Sequence, residues 1–162
     1  MSASTLFPRR TRQASVVLGL GLVLSACSTV SSLWSPESQT EDVTLVAAPD
    51  ANNDFPVAVD LVAVTEAEFA QALAETPART WFQQRESFLS NNANLIDVKS
   101  FELVPGQTMD EISYSWGDRR SYSAIFVFAN FMQSGTHRAR IDQIDAPTII
   151  LGSNTLKLES RD

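Results

Sequence analysis

From residue 42 onward the chain switches between two hydrophobic periods. Residues 42–48 (DVTLVAA) are short, apolar and partly β-branched, and residues 57–64 (VAVDLVAV) have the same character; both predict strands. In the second strand Val57, Val59, Leu61 and Ala63 share one face, and Ala58, Asp60, Val62 and Val64 share the other. Both of its faces are therefore expected to be partly covered. Between the two strands, PDANNDFP (49–56) brackets Asn and Asp with prolines and predicts a loop. The period then lengthens to that of a helix. Thr65 followed by Glu68 fits a capping box, and Phe69, Ala70, Ala72 and Leu73 give a short apolar face. Thr76-Pro77 predicts a second helix start, with Thr as N-cap and Pro at the first helical position. Trp81, Phe88 and Leu89 then share a face with the stem of Arg85 between them, and Asn91-Asn92 ends the helix.

Alternation returns afterwards. LIDVKSFELV (95–104) predicts a strand closed by Pro105-Gly106, and EISYSW (111–116) puts Ile112, Tyr114 and Trp116 on one face ahead of a turn at Gly117-Asp118-Arg119. SYSAIFVFANF (121–131) is the strongest strand, with Ile125, Val127, Ala129 and Phe131 opposed to Tyr122, Phe126 and Phe128. HRARID (137–142) is polar and predicts an edge strand, while 148–151 and 155–158 flank Gly152-Ser153-Asn154 as a closing hairpin. About six to eight strands, with turns roughly every 8–12 residues, predict a mainly β antiparallel sandwich with two helices packed on a sheet.

Ahead of residue 42 the pattern is of another kind. Arg9, Arg10 and Arg12 precede an apolar run of eleven residues, 14–24, and Leu24-Ser25-Ala26 leads to Cys27, the single cysteine of the chain. A basic and then apolar segment closed by small residues is a secretory signal, and this one is too short to span about 30 Å of hydrocarbon. Leu24-Ser25-Ala26-Cys27 resembles a bacterial lipobox. That resemblance implies cleavage after Ala26, a diacylglyceryl group on the Cys27 thiol and an acylated new N-terminus. Each buried CH₂ contributes about 0.8 kcal/mol, so two or more chains anchor stably, and no thiol is left for a disulfide, a metal or a nucleophile. Ser28 follows in place of Asp, which by the same resemblance implies sorting to the periplasmic face of the outer membrane. The expected organisation is a signal peptide over 1–26, a lipidated N-terminus and flexible tether over 27–41, and a β-sandwich domain over 42–162. Within the tether, residues 28–40, rich in Ser and Thr and without periodicity, reach about 45 Å at most when extended.

Charge narrows the partner classes. The whole chain carries −7; removing residues 1–26 with their three arginines leaves 136 residues with nine basic and 19 acidic side chains, a net of −10. That balance argues against nucleic acid and against docking on anionic lipid by charge. His137, the single histidine, lies in a polar strand beside Arg138 and Arg140. A general base needs a partner and a pocket, and the chain has no nucleophile motif, so His137 reads as a solvated strand residue. Asp50, Asn52 and Asp54 stand at alternate positions of a calcium-type loop. Phe55 and Leu61 occupy the positions that need Gly and Glu, so these residues read as a plain turn. Glu66 and Glu68 read as helix N-terminal charges. No catalytic residue, metal ligand or cofactor is expected, and the chain reads as a binding or scaffold module, not an enzyme.

The order of features resembles the TssJ/VasD lipoproteins of type VI secretion. It runs from the lipobox through a strand, the NNDFP loop, the VAVDLVAV strand and a helical insertion (EFAQAL, then WFQQRESFL). A strand ending in LVPGQ, the apolar IFVFANF and the Arg-bearing HRARID follow, over about 42–158 in all. The resemblance implies a transthyretin-like antiparallel β-sandwich with a two-helix insertion and no enzymatic activity. It implies a protein under the outer membrane that holds the periplasmic domain of the inner-membrane protein TssM. Loops at one end of the sandwich would make that contact, notably the loop between the first two strands. Here that loop contributes Asn52, Asn53, Asp54 and Phe55, with Phe55 either an apolar anchor or a plug for the end of the core. The compact TWFQQRESFL helix departs from the family pattern. Two other readings stand beside this one. An accessory or pilotin-like lipoprotein of another envelope assembly would share the anchor and change the partner. A small-ligand-binding periplasmic domain would need a deep pocket with convergent polar groups.

Intact-mass analysis of the protein extracted from bacterial envelopes is expected to show loss of residues 1–26 and added lipid on Cys27. The Cys27→Ala chain is expected to keep its signal segment and carry no lipid. An unlipidated mature N-terminus would overturn the lipobox assignment.

Overall fold

A strand that is apolar on both faces needs cover on both sides, and this chain covers it with a second sheet and a pair of helices. The computed structural model describes residues 40–113 and 122–160; Cys27, Tyr114, Trp116 and the turn expected at 117–119 lie outside the described residues. The elements in order are β1 (Asp42–Ala47), β2 (Val57–Val64), α1 (Ala67–Glu75), α2 (Ala78–Asn91) and β3 (Ile96–Leu103). They continue with β4 (Thr108–Ser113), β5 (Ala124–Asn130), β6 (Arg138–Arg140), β7 (Pro147–Leu151) and β8 (Leu156–Ser160). Among the described residues the strands form two four-stranded sheets, β4-β1-β7-β8 and β3-β2-β5-β6. The fold is the expected mainly β sandwich with two helices inserted between β2 and β3. One pairing departs from the antiparallel rule: β1 and β7 run parallel, with Thr44 opposite Thr148 and Ala47 opposite Leu151.

The two faces of β2 go to two different cores. Val57, Val59, Leu61 and Ala63, with Ile125, Val127 and Ala129 of β5, meet Val43, Leu45, Ile149 and Leu151 of the other sheet. On the opposite side Val62, Val64, Phe126 and Phe128 pack under Ala70 and Leu73 of α1 and Ala78 and Trp81 of α2. Asp60 faces this second core and is buried. The Trp81 indole N–H donates to its Oδ2 at 2.9 Å, and Arg85 Nε lies 2.8 Å from the same oxygen as an ion pair. Arg85 also donates to the Ser100 hydroxyl on β3. The Trp81 ring stacks on Phe128 and on Phe88, with centroids 5.0 and 5.3 Å apart.

The helix starts correct the sequence pattern. Glu66, not Thr65, is the N-cap of α1; the Thr65 hydroxyl donates instead to Leu95 O at 3.2 Å, tying the exit of β2 to the entry of β3. Pro77 is the N-cap of α2 rather than its first helical residue. Thr76 closes α1, its hydroxyl donating to Ala72 O at 2.9 Å. With only these two residues between the helices, Thr76 has no freedom to cap the second. β4 begins at Thr108, earlier than expected. Tyr122 precedes β5 and so escapes its alternation: it joins the sandwich core, and its hydroxyl donates to Asp97 Oδ2 at 2.7 Å.

β6 is an edge strand, as its polarity predicts, and the chain beyond it is pinned by a buried acid. Asp142 accepts from Arg140 at 2.6 and 3.0 Å, from Gln143 Nε2 at 2.8 Å and from the Ile125 N–H at 3.2 Å. Burial alone would raise this carboxyl; the hydrogen bonds from Arg140, Gln143 and Ile125, with the Arg140 charge, outweigh burial and hold it below its ordinary range. Thr40, assigned to the tether by pattern alone, is buried and shares its hydroxyl between Ile141 O and Ile144 O at 2.7 and 2.8 Å.

Two outcomes follow for stability. Asp60→Ala strands Arg85 and the Trp81 donor and is expected to cost about 2–3 kcal/mol in urea denaturation. That is below the roughly 3–5 kcal/mol of a fully buried pair, because the Arg85 side chain keeps 36% exposure; a change under about 0.5 kcal/mol, ordinary for surface sites, would remove the cluster from the account. For Asp142 the native pKa lies below the unfolded one, so the unfolded chain takes up the proton first on acidification. Its stabilisation is complete above about pH 5 and is lost as pH falls through the native value. Denaturation curves across that window are expected to fall less steeply for Asp142→Asn than for the parent protein. Equal slopes would refute the assignment.

Candidate partner surface

Register brings three turns to one end of the β3-β2-β5-β6 sheet. Val57 at the start of β2 lies opposite Leu103 on β3, and Ala58 lies opposite Asn130 on β5. Just past that line come Phe55-Pro56 before β2, Val104 after β3 and Met132 after β5. Phe55, Val104 and Met132 are the large hydrophobics exposed among the described residues, at 55%, 52% and 57%. Phe131, one residue earlier, is buried and fills the end of the core, and Phe55 stands outside it.

Each turn is held rigidly. Ala51–Asp54 forms a short kinked turn in which Asn52, Asn53 and Asp54 have φ of 49°, 55° and 67°. Left-handed backbone is costly for most residues and tolerated by Asn and Asp, whose short polar side chains bond locally. Asn52 points inward and is buried: its Nδ2 donates to Pro56 O at 2.8 Å, and its Oδ1 accepts from the Met132 N–H at 2.7 Å. Its own N–H donates to Gly152 O at 3.0 Å. In the second turn Gly106 adopts φ of 80°, the left-handed region that glycine occupies without strain. Its N–H donates to Ala47 O and Ala48 O at 3.0 and 3.1 Å. The third segment is tied to the helices. Arg79 donates to Met132 O at 3.0 Å, Ala78 N–H donates to Thr136 O at 2.9 Å, and Arg138 donates to Thr76 O at 2.7 Å.

Between these turns and α2 runs an open groove of about 400 Å³, lined in part by Phe55, Pro56, Arg79, Glu102, Asn130 and Met132. A second open groove of about 310 Å³, bordered by Phe82 and Gln83, shares Arg79 and Asn130 with it. Apolar knobs beside one guanidinium, one carboxylate and one amide suit recognition of a polypeptide. They form neither a nucleophile–base pair nor the deep convergent pocket of a small-ligand site.

The sequence candidates divide. Asn53, Asp54 and Phe55 are exposed on the turn, whereas Asn52 lies beneath them. Its amide oxygen is taken by Met132, which leaves the calcium-type spacing of Asp50, Asn52 and Asp54 without its middle ligand; among the described residues no group of three His, Cys, Asp or Glu could hold a metal. His137 is half-buried, its ring 4.6 Å from Phe131 and its Nε2 3.1 Å from Gln133 O. Sequence reasoning did not single out Val104, Met132 or Arg79 for the surface. The first two carried a usable signal, a large apolar residue directly beside turn formers. No helix among the described residues is long and apolar enough to cross a membrane.

No protein-family model matches this sequence, and no curated protein matches it. Solved structures match it in shape. The type VI secretion lipoprotein TssJ1 of Pseudomonas aeruginosa aligns with a TM-score of 0.57 at 19% identity, over 74% of this chain and 94% of its own. Lip of Serratia marcescens, a membrane-bound component of the type VI secretion system, aligns with a TM-score of 0.53 at 18% identity, over 75% and 96%. A third match, described as the type VI secretion protein TssM C-terminal domain (869-1107) from EAEC, has a TM-score of 0.52 at 14% identity, over 75% and 98%. The sandwich described above is thus the fold of the TssJ lipoproteins.

Proposed function

We propose that this chain is a TssJ/VasD-type lipoprotein, anchored to the periplasmic face of the outer membrane through acylated Cys27. In this reading it scaffolds the type VI secretion membrane complex by binding the periplasmic domain of TssM and performs no catalysis. The observation that carries the reading is the likeness in shape to two type VI secretion lipoproteins over 94% and 96% of their length. It agrees with a resemblance drawn separately from the order of sequence motifs, lipobox included. The end of the sandwich bearing Phe55, Val104 and Met132 is the proposed contact. Apolar anchors in well-packed surroundings carry most of the energy of protein interfaces, and turns already held in place lose little conformational freedom on binding.

The test is a titration of the lipidated protein in detergent with the periplasmic domain of TssM from the same bacterium. Saturable binding is expected. Phe55→Ala, Asp54→Ala and Met132→Ala are each expected to weaken it by more than about 1 kcal/mol. Absence of binding by the parent protein would overturn the partner assignment. Binding indifferent to all three substitutions would move the contact away from this end.

A further inference from the structure

We infer that Asn52 is a positioning residue of this surface, locking the Phe55 turn and the Met132 segment into one arrangement without touching the partner. The functional half of this inference rests on the TssM reading above; the structural half stands on geometry alone. At 3% exposure Asn52 offers almost nothing to a binding partner. It instead joins two segments 80 residues apart in the chain: one end of its amide holds Pro56 O, next to Phe55, and the other holds the Met132 N–H. Arg79 holds the Met132 carbonyl. Both backbone polar groups of Met132 are therefore engaged, and its side chain is free to project.

The position asks for three properties together. The residue must accept φ of 49°, it must be short enough to turn back under its own turn, and it must present a donor and an acceptor in different directions. Asparagine has all three. Aspartate keeps the acceptor and loses the donor, glycine keeps the backbone and loses both bonds, and glutamine is longer by a methylene. Three consecutive left-handed residues without a glycine persist only where the surroundings enforce them. At this turn the enforcing contacts are the Asn52 amide and the Asn52 N–H bond to Gly152 O.

The inference is tested with Asn52→Gly, which keeps the backbone conformation accessible, in the mature lipidated protein. Hydrogen exchange at the Met132 amide, measured without any partner, is expected to accelerate at least about tenfold in Asn52→Gly and to stay near the parent rate in Asn52→Asp. Affinity for the periplasmic domain of TssM is expected to fall about tenfold in Asn52→Gly. That loss should vanish when Asn52→Gly is added to a Phe55→Ala, Met132→Ala background, because nothing is left to position. A general loosening of the fold would carry the same loss into that background, and this result would overturn the inference, as would unchanged exchange at Met132. If the parent protein does not bind TssM, the partner reading falls, and the exchange comparison still decides whether Asn52 holds Met132. If Asn52→Gly does not fold, Asn52→Asp carries the affinity comparison: it keeps the acceptor for Met132 and sets a carboxylate oxygen against Pro56 O in place of the donor. Affinity is then expected to fall through the Phe55 turn alone, and unchanged affinity would overturn the inference.

Discussion

A carboxylate in the middle of an apolar sheet face governs how the rest of the domain is arranged. Asp60 needs partners, and α2 supplies them from two positions four residues apart, an indole N–H and a guanidinium. Apolar packing alone lets a helix slide or rotate on a sheet at small cost. A buried acid with one indole and one guanidinium to reach does not, so this cluster specifies position more than it adds stability. The setting of α2 then fixes Arg79, half a turn ahead of Trp81, and Arg79 holds the carbonyl of Met132. The core of the helix layer and the exposed end of the sandwich are parts of one connected arrangement.

That end gathers its parts from separate stretches of chain. β2 is paired on both sides, with β3 and with β5, so the turns at the ends of all three strands fall together. Two of the turns use left-handed backbone, one through Asn and Asp and one through Gly106. Each is bonded to a neighbouring segment rather than left to solvent.

Patterns of burial were legible in the sequence where they depended on local period. The double-faced alternation of 57–64, the face shared by Trp81, Phe88 and Leu89, the polar edge strand and the closing hairpin all follow from side-chain spacing. What was illegible depended on partners distant in the chain. Thr65 looks like a cap until Leu95 comes within reach of its hydroxyl. Tyr122 looks like part of a strand face until Asp97 claims its hydroxyl. Asn52, Asn53 and Asp54 look alike as turn formers, and only Met132, 80 residues on, distinguishes the one that turns inward. The exposure of Val104 and Met132 depends in the same way on strand register.

β1 runs from the buried Thr40, at one end of the sandwich, to the turn that bears Phe55 at the other. It lies inside its sheet, flanked by β4 and β7. A strand is already extended at about 3.3 Å per residue, so it has no slack to give. If the chain is held at residue 40 and loaded at Phe55, the covalent path for tension between them runs along this strand. The hydrogen bonds to its two neighbours lie across the direction of pull and must yield together in shear, rather than one at a time as in peeling. On the proposed anchoring, the route from lipid to partner is the mechanically stiffest that a sheet can provide.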